Sequence, residues 1–326
     1  MSERILQARG LTKQFPAPDG RVLTACNGID LDICAGQTVG IVCESGCGKS
    51  TLARVLTRME TSDAGTVTMH GQDILSLKGE ALRQSRRRMQ MVFQDPLASF
   101  NPKMRVLDIL TEPMMNFGLL QKRERRAKAA ELLCMVGLPE TFMDRYPHNM
   151  SGGQRQRIGI ARALSLEPEI LICDEATSAL DVSIQAAIIK LLVRLQKEKQ
   201  IGILFICHDI ALIQAFAHQI AVMYLGHIVE LLPGEAVAGG ALHPYTQALL
   251  GALFSIHMDP GRPVACIRGE IPSPLDLPEG CPFHTRCAQC KNICNRCPYC
   301  AERCRAEKPR LTERGQGHFA ACHRSF

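Results

Sequence analysis

The stretch Cys43-Glu44-Ser45-Gly46-Cys47-Gly48-Lys49-Ser50-Thr51 combines residue types suited to holding phosphate. It follows the apolar run Thr38 to Val42 and precedes the helix-prone Leu52-Ala53-Arg54-Val55-Leu56. Glycines let backbone N–H groups approach phosphate oxygens, and a helix beginning there presents its positive end. In such a loop Lys49 reaches the outer phosphates and the Ser50 hydroxyl ligates Mg²⁺. Glu44, Ser45, Gly46, Cys47, Gly48 and Thr51 supply the rest of the cradle. One position departs from the phosphate-loop pattern G-x-x-x-x-G-K-S/T, because Cys43 stands where the first glycine belongs.

Further motifs follow in a fixed order: Val92-Phe93-Gln94-Asp95-Pro96, Met150-Ser151-Gly152-Gly153-Gln154, Ile170-Leu171-Ile172-Cys173-Asp174-Glu175, Ser178-Ala179-Leu180-Asp181 and Cys207-His208-Asp209. Together they resemble the Q-loop, signature, Walker B, D-loop and H-loop of ABC-type ATPases. Ser99-Phe100-Asn101-Pro102, Tyr146-Pro147-His148, His243-Pro244-Tyr245-Thr246-Gln247-Ala248-Leu249-Leu250 and Gly280-Cys281-Pro282-Phe283-His284 sharpen the resemblance. They are similar to the ATP-binding subunits of oligopeptide, dipeptide and nickel importers, over nearly the whole chain.

The resemblance implies ATP and Mg²⁺ as ligands, with Ser50, Gln94 and Asp174 around the metal, Glu175 as general base on the attacking water, and His208 bonding the γ-phosphate and orienting Glu175. It implies that Phe15, in Leu11 to Phe15, stacks on adenine. Ser151, Gly152, Gly153 and Gln154 would face the γ-phosphate held by a second ATPase subunit, with Asp181 organising the contact. Met150 is a mild departure, since leucine usually precedes that serine.

The elements that must position these residues are legible as patterns. Leu6 to Leu11 and Ile29 to Ile33 alternate apolar and polar positions, the period of half-buried antiparallel strands. Ile170 to Cys173 is continuously apolar, as a strand buried on both faces should be. It delivers Asp174 and Glu175 at its carboxyl end, where open α/β sheets place ligands. Adjacent carboxylates in a strand point to opposite sides and would take different tasks. From about Pro96 to Ala163 the spacing turns helical, clearest at Lys122 to Val136. The expected fold is α/β: a P-loop NTPase with an antiparallel β-subdomain and a helical subdomain over about 96–163, all within 1–254, followed by a Cys-rich extension over 255–326.

Composition adds constraints. The net charge of +6 is spread along 326 residues, so runs such as Arg86-Arg87-Arg88 read as solvated helix faces and no nucleic-acid role is expected. No stretch reaches the ~18 uninterrupted apolar residues of a membrane span, and no basic-plus-apolar leader pattern opens the sequence. Sixteen cysteines without such a leader argue for thiols or metal ligands instead of disulfides.

Eight of those cysteines lie between Cys281 and Cys322, in a segment poor in aliphatic residues that needs a staple. Arg286-Cys287-x2-Cys290-x3-Cys294 recurs ten residues on as Arg296-Cys297-x2-Cys300-x3-Cys304. Cys294-x2-Cys297-x2-Cys300-x3-Cys304 has the bacterial ferredoxin spacing, with Arg305 in place of the usual proline. Thiolate sites suit Fe–S or zinc alike, so one cluster, zinc, two clusters and free thiols all stay open. The family carries four cysteines here, reported in some members to hold a [4Fe–4S] cluster; fitting that pattern from both ends selects Cys281, Cys287, Cys304 and Cys322.

The resulting expectation is an ATPase subunit that pairs, as a heterodimer, with a second such subunit. It would drive two membrane permease subunits served by an extracytoplasmic solute-binding protein, and sit peripherally on the cytoplasmic face of the membrane. The alternative is a soluble, non-transport ABC ATPase in a cytoplasmic complex. Cys43 is expected to leave the site active but weakened: a left-handed φ there would cost ~1–2 kcal/mol, whereas a negative φ would cost only the fitting of a thiol beside the loop. Both Cys43 and Cys47 would lie near a helix N-terminus, whose field favours the thiolate.

Overall fold

The computed structural model describes residues 3–178, 180–252, 267, 269–293 and 298–324. The alternating segments form β1 (Arg4–Pro16) and β2 (Val22–Cys34), antiparallel, with Leu6 opposite Ile33, Ala8 opposite Leu31 and Leu11 opposite Ile29. These apolar residues are buried, which is why the alternation exists. The fully buried β3 (Thr38–Val42) leads through the phosphate loop into α1 (Lys49–Leu56). Then β4 (Ala64–Met69) and β5 (Gln72–Asp73) complete a four-stranded antiparallel sheet in the order β2-β1-β4-β5.

After α2 (Gly79–Arg88) and β6 (Met89–Val92) the chain is helical through α3 (Pro96–Ser99), α4 (Val106–Asn116), α5 (Arg125–Met135) and α6 (Gly152–Leu164). It returns to the sheet as β7 (Ile170–Asp174), then α7 (Val182–Lys199), β8 (Gly202–Cys207), α8 (Ile210–Gln214), β9 (Gln219–Tyr224) and β10 (His227–Pro233). The remainder is α9 (Val237–Gly240), α10 (Pro244–Gly251), α11 (Ala288–Ile293), α12 (Pro298–Ala306), β11 (Thr312–Gly315) and β12 (His318–Ala320).

The second sheet has the order β11-β12-β10-β9-β3-β8-β7-β6. Its centre, β9-β3-β8-β7-β6, is parallel; β10, β12 and β11 extend one edge antiparallel. Residues read in sequence as an appendage therefore add two strands to the edge of the same sheet, Ala320 pairing with Glu230 and Phe319 with Leu231. One apolar cluster lies between the two sheets and α1. The other gathers α4, α5, α6 and the opposite sheet face, and includes Phe283, Cys281, Cys287 and Cys290. Among the described residues no helix is long and apolar enough to cross a membrane.

Candidate active site

The apolar run of β3 is clamped between β8 and β9, so its carboxyl end fixes where the phosphate loop begins. Gly48 takes φ +103°, and a Cβ there would strike the Ala25 carbonyl; no other residue type fits both demands. No side chain caps the first turn of α1, which leaves its backbone N–H groups directed at the loop.

Lys49 is buried, its Nζ donating to the carbonyls of Cys43 (3.1 Å) and Glu44 (3.4 Å) and lying 4.0 Å from Glu175 Oε1. Burial draws its pKa below the ordinary lysine value, opposed by the Glu175 charge. Ser50 Oγ donates to Asp174 Oδ1 at 3.1 Å. Burial pushes the Asp174 carboxyl above its usual range, against the Ser50 hydrogen bond. A hydroxyl and a carboxylate in contact make a hard-oxygen set suited to Mg²⁺. Gln94 is turned elsewhere, its Nε2 donating to Ser178 Oγ at 3.3 Å.

Strand alternation does not separate the two acids as expected. The strand stops at Asp174, and Glu175 adopts φ +48° while its N–H donates to Ile206 O at 2.9 Å. Left-handed backbone at a non-glycine residue costs about 1–3 kcal/mol and clusters at functional sites. That turn carries the Glu175 carboxylate toward Lys49.

Phe15, Leu23, Ala25, residues 45–51, Glu175 and Pro274 line one cleft of about 330 Å³. Phe15 is there as expected, with Lys13 Nζ 4.9 Å from its ring centre. Leu23, Ala25 and Pro274 carried no sequence signal, being ordinary apolar residues of a strand and a loop. His208 is exposed just beyond the carboxyl end of β8. A larger cleft of about 490 Å³ lies between β6 and α4, lined among others by Gln90, Phe93, Phe100 and Phe117. It contains none of the phosphate-loop residues, so the smaller cleft is the chemical one.

Ser151 caps α6 through a reciprocal pair: Gln154 N–H donates to its Oγ at 3.3 Å, and its own N–H donates to Gln154 Oε1 at 3.0 Å. Gly153 is needed for packing, since a Cβ would lie 2.5 Å from Ile184 Cγ2. Asp181 caps α7, accepting from Ile184 N–H at 3.0 Å and Ser183 Oγ at 2.6 Å. Ser151, Gly153 and Gln154 line a separate depression with Ser183, Ile184 and Ala187. Within one chain the signature and the phosphate loop do not share a cleft.

The conformation of the loop decides one alternative and corrects one expectation. Cys43 is not in the left-handed region, so its replacement of glycine carries no backbone strain. Cys43 and Cys47, expected as thiols, are joined as a disulfide with Cα atoms 6.5 Å apart, because the loop curls residue 47 back over residue 43.

Sequence reasoning also missed Arg286. Its side chain is 5% exposed, and its guanidinium holds the Glu44 carboxylate at 2.7 and 3.2 Å. Burial works against this charge, but Glu44 and Tyr224 outweigh it and raise the pKa of Arg286. Glu44 N–H donates to Tyr245 OH at 3.1 Å, and the Tyr245 ring packs tilted against Tyr224 and Phe283 at ring separations of 4.7 and 5.3 Å. The phosphate loop is thus anchored to the C-terminal segment.

In that segment Cys287, Cys290, Cys304 and Cys322 line a small cavity of about 30 Å³. Cys281 is not in its wall; Cys281 is buried, with its N–H donating to Cys304 O at 2.8 Å. Burial pushes the Cys281 and Cys304 thiols up to about 12 and raises Cys287 and Cys322 as well. Among the described residues no three His, Cys, Asp or Glu side chains are placed to hold a metal ion. Cys294 and Cys297, and the side chain of Cys300, lie outside the described residues.

A phosphate loop on a parallel sheet, a carboxylate pair at the end of β7 and a capped Ser-Gly-Gly-Gln helix define an ATP-binding cassette. A family model described as ABC transporter matches residues 26–178, and one described as the C-terminal region of oligopeptide/dipeptide transporters matches 229–294. A probable peptide ABC transporter ATP-binding protein of Sinorhizobium fredii is 46% identical, over 99% of this chain and 90% of that one. The di/tripeptide transport ATP-binding protein DppF of Pseudomonas aeruginosa is 44% identical over 98% of both chains. A dimeric, post-hydrolysis ATP-binding cassette bound to ADP and Pi aligns with a TM-score of 0.65 at 29% identity, covering 71% of this chain and 99% of that one. The chain belongs to the ATP-binding proteins of the oligopeptide/dipeptide ABC transporter family, and its cassette is that of an ATPase.

Proposed function

We propose that this protein is the ATP-hydrolysing subunit of a peptide importer, bound peripherally to the membrane through its permease. The carrying observation is the convergence of Lys49, Ser50 and Glu175 on one cleft, with Asp174 bonded to Ser50 behind it, and the signature in another. That division supports a head-to-tail pair of ATPase subunits, each signature completing its partner's site.

In this reading residues 45–51 cradle the phosphates and Phe15 packs on the adenine. Lys49 leaves the carbonyls of Cys43 and Glu44 to neutralise the outer phosphates. Ser50 and Asp174 hold Mg²⁺, which supplies charge neutralisation on the transferring phosphoryl group. Glu175 accepts the proton of the attacking water, and Gln94, released from Ser178, joins the site together with His208. Asp181 fixes the start of α7 at the dimer contact. The apolar cleft beside Phe93 and Phe100 flanks Gln94 and is the proposed seat of the permease, coupling its movement to the site. The match to the peptide-transporter C-terminal region favours this over a soluble, non-transport assembly.

We propose further that an Fe–S cluster staples the C-terminal segment, on the chemistry of the thiols that line its cavity. Four thiols suit a cluster or zinc alike, and the resemblance to the family's four-cysteine pattern favours the cluster. Cys287, Cys290, Cys304 and Cys322 line the cavity and would hold it, with Cys281, buried beside them, the alternative to Cys290 that the family pattern implies.

Glu175→Gln tests the assignment: the amide keeps the shape but takes no proton. With the partner subunit present, the variant should bind ATP, lose turnover and accumulate as a closed dimer. Wild-type turnover would refute it.

A further inference from the structure

The mechanism makes no use of the two sulfurs in the phosphate loop. We propose that Cys43 and Cys47 form an oxidative modification site for hydroperoxides, whose disulfide weakens nucleotide binding until it is reduced. This rests on the nucleotide-site reading above.

The geometry supports the bond. A separation of 6.5 Å between the Cα atoms lies within the ~4.4–6.8 Å that disulfides span. The loop reaches it with glycine at residue 46, at φ +81°, where a bulkier residue would resist the curl. Cys43 and Cys47 are 1% and 6% exposed, so large thiol reagents are excluded. Cys47 nevertheless lines the cleft that admits phosphates, giving a small oxidant a path. Lys49 Nζ lies 3.3 Å from Cys43 Sγ, and a neighbouring ammonium favours the thiolate.

The chemistry balances with a hydroperoxide as the named oxidant. The Cys47 thiolate attacks one peroxide oxygen, breaking the O–O bond; with hydrogen peroxide this gives a sulfenic acid, and the departing hydroxide takes a proton to become water. The Cys43 thiolate then attacks the Cys47 sulfur, forming the S–S bond and expelling a second hydroxide, protonated to water. Two thiols are oxidised and one peroxide is reduced to two waters. The bond ties together the two ends of the arc 43–47, whose N–H groups must spread around a phosphate. It also leaves Lys49 Nζ held by the Cys43 carbonyl and sulfur and by the Glu44 carbonyl. Bound nucleotide, filling the cleft, should in turn protect the pair.

The test uses the full-length chain, reduced or treated with hydrogen peroxide, then denatured, alkylated and cleaved after Glu44. That cut lies between the two cysteines, so the halves stay joined only if a disulfide spans it. The expected result is joined halves after peroxide and separate ones after reductant or ATP protection, with ATP bound about tenfold or more weaker in the oxidised form. Cys26 Sγ lies 3.9 Å from Gly48 O, so its pairing with Cys47 must be distinguished. Cys43→Gly and, independently, Cys47→Ser should abolish the joined product, whereas Cys26→Ser should keep it. Joined halves in Cys43→Gly, free alkylatable thiols after peroxide, or equal ATP affinity in the two forms would each overturn the proposal. Failure of the reduced protein to bind ATP would instead defeat the nucleotide-site reading.

Discussion

Removing either partner of the Arg286–Glu44 ion pair should destabilise the protein, and by unequal amounts. Glu44→Ala leaves an always-charged guanidinium on a side chain that is 5% exposed. Its other contacts are the Gly269 carbonyl at 3.1 Å and Tyr224 OH at 3.5 Å. Neither is a counter-charge, so the loss should approach the ~3–5 kcal/mol typical of an orphaned buried ion. Arg286→Met leaves a carboxylate that is 27% exposed; water can reach it, and a methionine of similar length fills the apolar path, so a loss of about 1–2 kcal/mol is expected. Against a total of ~5–15 kcal/mol, both are measurable in urea.

Arg286→Met should also loosen the loop at its second residue while Tyr245 still holds the Glu44 N–H. ATP binding should then weaken several-fold with kcat little changed, the signature of an interaction made equally in ground and transition states. Arg286→Lys should restore the charge but not the two-pronged geometry, and so recover only part of the loss. Equal stability losses in Glu44→Ala and Arg286→Met, or a double mutant as costly as the sum of the two, would refute the reasoning, because a real pair must be non-additive.

Two further outcomes follow from other sites. Anaerobically purified protein should be brown and contain iron, and substituting Cys287, Cys290, Cys304 or Cys322 should bleach it; colourless protein with stoichiometric zinc would reverse the choice of metal. His243 is buried with its pKa lowered to about 3, so between that value and its unfolded pKa of about 6.5 the unfolded chain binds a proton that the folded chain does not. Stability from this group is complete above about pH 6.5 and lost as pH falls, by roughly 2 kcal/mol at pH 5; His243→Gln should flatten that part of a urea-midpoint profile against pH, and an unchanged slope would refute the assignment.

What the sequence made legible is local. A buried strand, a glycine-rich turn and a helix start are contiguous in residues 38–56, so their order alone announces the cradle. The same holds for Ser151 and Gln154, whose three-residue spacing is that of a capping box. Contacts across the fold left no such trace. Arg286 and Glu44 are separated by 242 positions, and the Arg-Cys repeat drew attention to its cysteines while the arginine made the contact. The nearness of Cys290 to Cys287 is equally illegible to pattern fitting from the ends of the segment; α11 brings its N–H to 3.4 Å from Cys287 Sγ. Glu175 looked like one more strand residue, since a positive φ at a non-glycine is imposed by its surroundings and not by its own preference.

These long-range contacts change what the C-terminal segment is for. A staple that only tethered a tail would need to touch the core anywhere; this one packs Phe283 against Tyr224 and Tyr245, places β12 on the sheet that carries the phosphate loop, and sets Arg286 one residue before a wall of the cysteine cavity. A displacement of Cys287 therefore moves Arg286, and with it the carboxylate of the loop's second residue. Arg286 and Glu44 join the wall of the cavity to the phosphate loop, so loss of the proposed cluster should weaken ATP binding in the same direction as Arg286→Met. Cys287→Ser combined with Arg286→Met should then weaken binding by less than the product of the two separate effects. Fully multiplicative losses would show that the cavity supports the fold without reaching the loop.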